Sequence, residues 1–262
     1  MDVRLDGRKA LITGGSAGLG KAMAKKFAES GAEVAILARR AGVLEQARGE
    51  VASVTNGRVM AYVCDVTDAE ALQNTYRRAE SDLGPIDILV NNAGTSQTGK
   101  FVEISDEVWR ADLELKLFAA IRLARLAFPG MCERRWGRII NILNIGAKAP
   151  RGASAPTSVS RAAGMALTKV LANEGAPHNV LVNALLVGLI DSDQHVRRYE
   201  AGPGGKSYEQ FIADMAQARG VPMGRMGTAE EFANVACFLA SDAGGYVTGT
   251  ALNVDGGNSP VV

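Results

Sequence analysis

Short, wholly apolar runs alternate with longer stretches of helical period from one end of this chain to the other. The strand-like runs are Lys9–Thr13, Glu33–Ala38, 58–64, 86–90, 138–143, 180–185 and Ala251–Val254, seven in all. Helical patterns lie between them over 18–30, 68–83, 106–135, 157–176 and 228–241. Several strands are apolar throughout rather than at every second residue, as a parallel sheet covered by helices on both faces requires. The alternation predicts an α/β fold: a single doubly wound, Rossmann-like domain over 1–262, with a parallel seven-stranded sheet between two helix layers. Asp68 opens one helix, Gly84-Pro85 stops it, and Pro129 marks a bend or an end in the long 106–135 pattern. The one loose stretch, about 192–207, contains Ala201-Gly202-Pro203-Gly204-Gly205 and is predicted to be a flexible loop or lid.

Charge and composition exclude several classes. Basic residues number 29 and acidic ones 28, so the formal charge of +1 gives no field to draw in nucleic acid or a membrane surface. No basic stripe with interleaved aromatics exists either. No apolar run approaches the length of a membrane-spanning helix. The mixed-charge start, Met1 to Gly7, runs straight into a strand and does not resemble a signal peptide. Cys64, Cys132 and Cys237 lie singly in apolar stretches, far from His178 and His195. No zinc spacing can be assembled, no metal is expected, and the cysteines read as reduced thiols of a cytoplasmic protein.

Chemistry first shows in Thr13-Gly14-Gly15-Ser16-Ala17-Gly18-Leu19-Gly20, between the first strand and the first helix. Glycines at 14, 18 and 20 allow a tight turn and a close approach to a pyrophosphate, which then meets the helix N-terminus. The second strand ends in Ala38-Arg39-Arg40. A carboxylate there would hold a ribose 2′-hydroxyl, whereas Arg39 suits a 2′-phosphate, so NADP(H) is expected in preference to NAD(H). Asp65-Val66 closes the third strand, placing a carboxylate to accept from an adenine amino group. Asn91-Asn92-Ala93-Gly94 closes the fourth, and its small residues let adenosine lie against the backbone.

Taken in order, TGxxxGxG, Asp65-Val66, the NNAG segment with Asn92, Ala93 and Gly94, Val182-Asn183-Ala184 and Val254-Asp255-Gly256-Gly257 resemble the short-chain dehydrogenase/reductase family. The segment from Val221 to Glu231 resembles that family's C-terminal part, so the likeness covers essentially the whole chain. The resemblance implies a Rossmann-like fold, a nicotinamide cofactor and a homotetramer. It assigns Ser16 and Leu19 to the cofactor turn. Gly188, Ile190 and Ser192 then flank the nicotinamide, with Ser192 as the hydroxyl that contacts the carboxamide. Val187 stands where the family pattern has proline.

The family's catalytic set is Asn–Ser–Tyr–Lys, and this chain replaces all four members. The strand Gly137-Arg138-Ile139-Ile140-Asn141-Ile142-Leu143 ends in Asn144 where serine is expected. Thirteen residues on, YxxxK reads Thr157-Ser158-Val159-Ser160-Arg161. Seven residues after Trp109, the asparagine position is Lys116. A threonine alcohol is a far weaker acid than a phenol of pKa near 10, and Arg161 keeps its proton. Asn144 still donates to a carbonyl, Arg161 to ribose hydroxyls or an anion, and Lys116 is the candidate substitute acid within the set. A structural role for Lys116, ion-paired at a subunit contact, competes with that reading, and Tyr199 in the lid is a second candidate acid.

Lys116, Arg151, Arg161, Arg197, Arg198 and Lys206 fall around the expected cleft, which suits an unidentified small-molecule ligand, anionic if these residues select it. The sequence therefore supports an NADP(H)-dependent oxidoreductase with non-standard proton chemistry. The alternative is a catalytically silent dinucleotide-binding oligomer with a regulatory or scaffolding role. The apolar positions of 106–135 and 157–176 exceed what one sheet face covers, which predicts burial between subunits.

Overall fold

The computed structural model describes residues 3–202 and 204–262, with the side chains of Asp193, Gln194 and Arg197 outside the description. Among the described residues nine strands occur in the order β1 (Lys9–Thr13), β2 (Glu33–Ala38), β3 (Val59–Val63), β4 (Ile88–Asn91), β5 (Thr98–Gly99), β6 (Gly137–Asn144), β7 (Ala155–Pro156), β8 (Val180–Val187) and β9 (Ala251–Val254). Seven of them form one sheet in the order β3-β2-β1-β4-β6-β8-β9. Every neighbour pair in it is parallel. The helices are α1 (Gly18–Glu29), α2 (Ala41–Ala52), α3 (Ala69–Leu83), α4 (Asp106–Leu113), α5 (Ala119–Glu133), α6 (Thr157–Gly175), α7 (Asp193–Glu200), α8 (Tyr208–Ala218) and α9 (Ala229–Ala240).

Strand pleating sends successive apolar side chains into two separate cores. Ala10 and Ile12 of β1 join Met23 and Phe27 of α1, Leu44 of α2 and Phe232 of α9 on one face. Leu11, between them, joins Leu72 of α3 and Leu123 and Met131 of α5 on the other. A strand buried on both sides has no polar positions to spare, which is why these runs read as continuously apolar. This is the doubly wound arrangement the alternation predicts. Because β1 sits between β2 and β4, the chain reverses its direction of travel at β1, and a crevice opens at the carboxyl ends of β1 and β4.

Three departures from the sequence reading have physical causes. First, the 106–135 pattern is helical without a break from Asp106 to Glu133, but a π turn over Glu114–Phe118 lies between α4 and α5. Pro129, expected to bend or end it, sits inside α5, which runs on to Glu133. Proline removes one N–H from the ladder, and the helix absorbs that loss, whereas the π turn widens one turn to i→i+5 bonding and lets the helix continue. Second, 192–207 is not simply a loop, because it contains α7. Tyr199 of α7 packs on Tyr208 with ring centroids 5.3 Å apart and on Phe211 at 5.6 Å, so tertiary contact supports a helix that local composition does not announce. Third, α2 was not foreseen; no side chain caps its start, and Gly42 and Gly49 weaken its local signal.

Candidate active site

The turn after β1 is shaped by what glycine lacks. Gly14 has φ +66° and Gly18 φ +51°, backbone that side chains disfavour. A Cβ on Gly20 would stand 2.2 Å from the Gly14 carbonyl oxygen, so the helix and turn meet only if that position is bare. The following strand end locks the turn. Thr13 Oγ1 accepts from the backbone N–H groups of Asn92 and Ala93, each at 2.9 Å. Asn92 Nδ2 donates to the carbonyls of Thr13 at 2.8 Å and Gly14 at 3.2 Å. No side chain caps α1, leaving its first N–H groups for an anion.

Two adjoining cavities receive most of the expected cofactor set. One of about 440 Å³ is bordered by Gly14, Ser16, Gly18, Leu19, Gly20, Asn92, Ala93, Gly94, Asn144, Thr157, Arg161 and Ser192. The other, about 170 Å³, shares Arg40 with it and adds Arg39, Cys64, Asp65 and Val66. The bare cradle, the free helix terminus and the arginine end fit a phosphorylated dinucleotide. Arg39 and Asp65 are 3.9 Å apart and both exposed, a weak pair that leaves the guanidinium available. The Asp65 carboxyl is held below its ordinary value chiefly by the Thr67 backbone N–H, with the Thr67 hydroxyl and Arg39 assisting against burial. Gly188 borders neither of these cavities but a third, and a Cβ there would lie 2.4 Å from the Asp255 Cα. Ile190 is buried, and bridges to Gly227.

Lys116, Asn144, Thr157 and Arg161 come together at one end of the crevice. Asn144 ends β6, Thr157 opens α6, Arg161 follows one turn along, and Lys116 lies in the π turn. The Lys116 side chain is 0% exposed and that of Asp112 2%. Lys116 Nζ donates to Asp112 Oδ1 and, at 2.7 Å, to Thr157 Oγ1. Asp112 Oδ2 accepts from Ser160 Oγ at 2.6 Å. Thr157 Oγ1 also accepts from the Gln97 N–H at 3.0 Å and donates to the Gln97 carbonyl at 2.7 Å. Gln97 reaches Thr157 because β5 pairs with β7, setting Thr98 opposite Pro156.

Arg161 is half-buried; its Nη1 donates to the Ile142 carbonyl at 2.6 Å, and Nη2 lies over Gly94, where a Cβ would meet it at 2.5 Å. Its Nε and the Asn144 Oδ1 are buried without a partner. Burial pulls the Lys116 ammonium below its ordinary value of 10.5; Asp112 pulls the other way, and Arg161 adds a smaller repulsion. Burial likewise pushes Arg161 down to about 10, so it remains a cation at neutral pH.

Sequence reasoning missed Asp112, Ser160 and Gln97. Asp112 was findable, since it stands four residues before Lys116 on the helix. The other expected basic groups scatter. Arg151 borders the third cavity, Lys206 pairs with Asp214, and Arg198 is exposed away from the cavities described here. The Arg197 side chain lies outside the described residues. Tyr199 donates its hydroxyl to the Lys206 carbonyl at 2.7 Å and does not border the crevice. Ser192 Oγ lies 3.1 Å from His195 Nδ1. Among the described residues no helix is long and apolar enough to cross a membrane.

A parallel sheet reversing at β1, a glycine cradle at its edge and a cluster of polar groups at the ends of β6 and α6 define a dinucleotide-binding α/β protein. The chain belongs to the short-chain dehydrogenase/reductase family. A family model described as enoyl-(acyl carrier protein) reductase matches residues 14–259. Nodulation protein G of Rhizobium sp. (strain N33) is 35% identical over 97% of either chain. Among solved structures, L-sorbose reductase from Gluconobacter frateurii, complexed with NADPH and L-sorbose, superposes with a TM-score of 0.94 at 34% identity over all of both chains. An NADPH-bound short-chain oxidoreductase from Pseudomonas aeruginosa PAO1, described as containing an atypical catalytic center, gives 0.92 at 36% identity over 99% of both.

Proposed function

We propose that the protein is an NADP(H)-dependent oxidoreductase that interconverts a carbonyl and an alcohol, with Lys116 as its proton source in place of a tyrosine. The observation that carries this reading is the 2.7 Å bond from Lys116 Nζ to Thr157 Oγ1. Thr157 borders both the cofactor crevice and the neighbouring cavity of about 320 Å³. A threonine alone is too weak an acid, but a desolvated ammonium behind it is not. A nicotinamide, when bound, would supply the hydride. Asn144 donates its amide N–H to the carbonyl oxygen, and the Thr157 hydroxyl turns from Gln97 to protonate the new alkoxide while taking a proton from Lys116. Asp112 and Ser160 hold the ammonium in place. Arg161 binds ribose, Ser192 the carboxamide, Gly188 and Ile190 shape that end, and Asp65 with Val66 receives adenine.

The NADPH-bound state of both structural relatives supports the choice of cofactor, as does the arginine at the end of β2. Arg39→Asp is expected to reverse the preference for NADP over NAD, measured by calorimetric titration of both. Equal affinity in the unmutated protein sinks the cofactor assignment. The exposed Phe118, Val159 and Val170, along the π turn and α6, support a homotetramer, which light scattering measures. The free thiols of Cys64, Cys132 and Cys237 support a cytoplasmic setting.

A second reading, a silent dinucleotide-binding oligomer, is favoured by one fact: Thr157 Oγ1 already has a donor and an acceptor on Gln97. NADPH oxidation over a panel of neutral and anionic carbonyl compounds separates the two. Turnover is expected for part of the panel but not for simple neutral ketones. In the reduction direction kcat falls as pH rises through the Lys116 pKa, because the donor is then deprotonated, and burial places that fall below the ordinary lysine range. Tight NADP binding with no turnover of any member decides for the silent protein.

A further inference from the structure

We infer that the cavity beside Asn144 takes a small carbonyl compound bearing a terminal anionic group, a carboxylate or a phosphate, held by Arg151 and Arg219. The carbonyl rests on the oxidoreductase reading above; the anion does not. At about 320 Å³ the cavity is at the small end of ligand pockets. Asn144 and Thr157 belong to its wall and also to that of the cofactor crevice, so a ligand there reaches the reacting end.

Its charge is one-sided. Arg151 enters from the segment between β6 and β7, Arg219 from the C-terminal cap of α8, and among the described residues no aspartate or glutamate borders the space. Elsewhere in the chain Arg58, Arg122 and Arg225 each pair with a glutamate. Among the described residues, neither Arg151 nor Arg219 has a carboxylate partner. Their backbones, by contrast, are tied. Ser158 Oγ donates to Ser154 Oγ at 2.8 Å, and Ser154 Oγ to the Arg151 carbonyl at 2.6 Å. Asn258 Nδ2 donates to the Arg219 carbonyl at 2.9 Å.

Two exposed guanidiniums with anchored backbones and, among the described residues, no carboxylate partner are open to a ligand that brings its own charge, and their planar forks match carboxylate or phosphate oxygens. Nearby His195 is held below its ordinary value mainly by burial, with Arg198 and Arg219 repelling its proton against the pull of Asp191. Ile145, Ala149 and Leu189 supply the apolar wall for the carbon chain between the anion and the carbonyl.

Binding, not turnover, tests this. The NADP-loaded protein is titrated calorimetrically with matched pairs: 4-oxopentanoate against its methyl ester, and dihydroxyacetone phosphate against dihydroxyacetone. In at least one pair the anion binds about tenfold tighter or better, and added salt erodes the difference. Whichever pair shows the larger gap identifies carboxylate or phosphate. Arg151→Gln with Arg219→Gln removes the preference and leaves NADP affinity unchanged. Equal affinity within both pairs, no anion binding at millimolar concentration, or a preference that survives the double variant overturns the assignment. Anion binding without turnover keeps it while removing the oxidoreductase reading; turnover of neutral compounds with no anion preference does the reverse.

Discussion

Lys116→Met lowers kcat for carbonyl reduction by about 10²–10⁴-fold, the usual loss when a positioned acid is removed. The variant has a second effect that must be separated from the first. Asp112 loses its cation and keeps only the Ser160 hydroxyl, at 2.6 Å, in a site whose side chain is 2% exposed. Stranding a buried carboxylate costs roughly 3–5 kcal/mol of stability. Asp112→Asn added to Lys116→Met removes the stranded charge and restores most of that loss, which a denaturant titration reads directly. The rate does not return with the stability, because the proton donor is still missing. The limb of the pH profile that falls with rising pH also disappears. A folded double variant with parental kcat would falsify the assignment of Lys116. Lys116→Asn, Asn144→Ser, Thr157→Tyr and Arg161→Lys together likewise take the Lys116 cation from Asp112, so that protein needs Asp112 changed as well.

Gly20→Ala weakens NADP binding by roughly 10–100-fold. The new methyl would lie 2.2 Å from the Gly14 carbonyl oxygen and 2.6 Å from Asn92 Nδ2, so either the turn or the β4 end must move. Overpacking strain of about 1–3 kcal/mol, expressed in the bound geometry, corresponds to roughly 10–100-fold in affinity. Gly42→Ala is the control, since nothing lies within 4 Å of a Cβ there. That change leaves NADP affinity alone and stabilises α2 by about 0.5–1 kcal/mol. Calorimetric titration of both variants decides the matter; parental affinity in Gly20→Ala contradicts the cradle.

Legibility in the sequence followed the range of the interaction. The seven sheet strands could be read because the inner ones are buried on two faces, and their ends fell within two residues of the observed ones, as with 58–64 against Val59–Val63. The glycine turn was legible because its conformation is a property of a few consecutive residues. Spacing singled out Lys116, Asn144, Thr157 and Arg161, but not all of the partners that the structure gives them. Asp112 left a helical trace four residues away. Gln97 left none, since only the pairing of β5 with β7 brings it to Thr157. Arg219 and Arg151 share a cavity through tertiary packing, and nothing local joins them. The helix α7 was hidden for the opposite reason: a neighbouring Gly- and Pro-rich stretch dominates the local reading, while the contacts of Tyr199 with Tyr208 and Phe211 come from beyond it.

The β5–β7 ribbon has a spectroscopic consequence. The Gln97 amide hydrogen points at Thr157 Oγ1, and the same oxygen takes a hydrogen from Lys116 Nζ. Loss of the lysine's proton turns that nitrogen from a charged donor into an acceptor-capable amine, and the threonine oxygen becomes a better acceptor for its remaining N–H. The backbone ¹⁵N–¹H resonance of Gln97 therefore reports the ionisation of a side chain that solvent does not touch. One peak in a heteronuclear spectrum, followed across pH with and without NADP, turns a main-chain amide into an electrode for the buried ammonium.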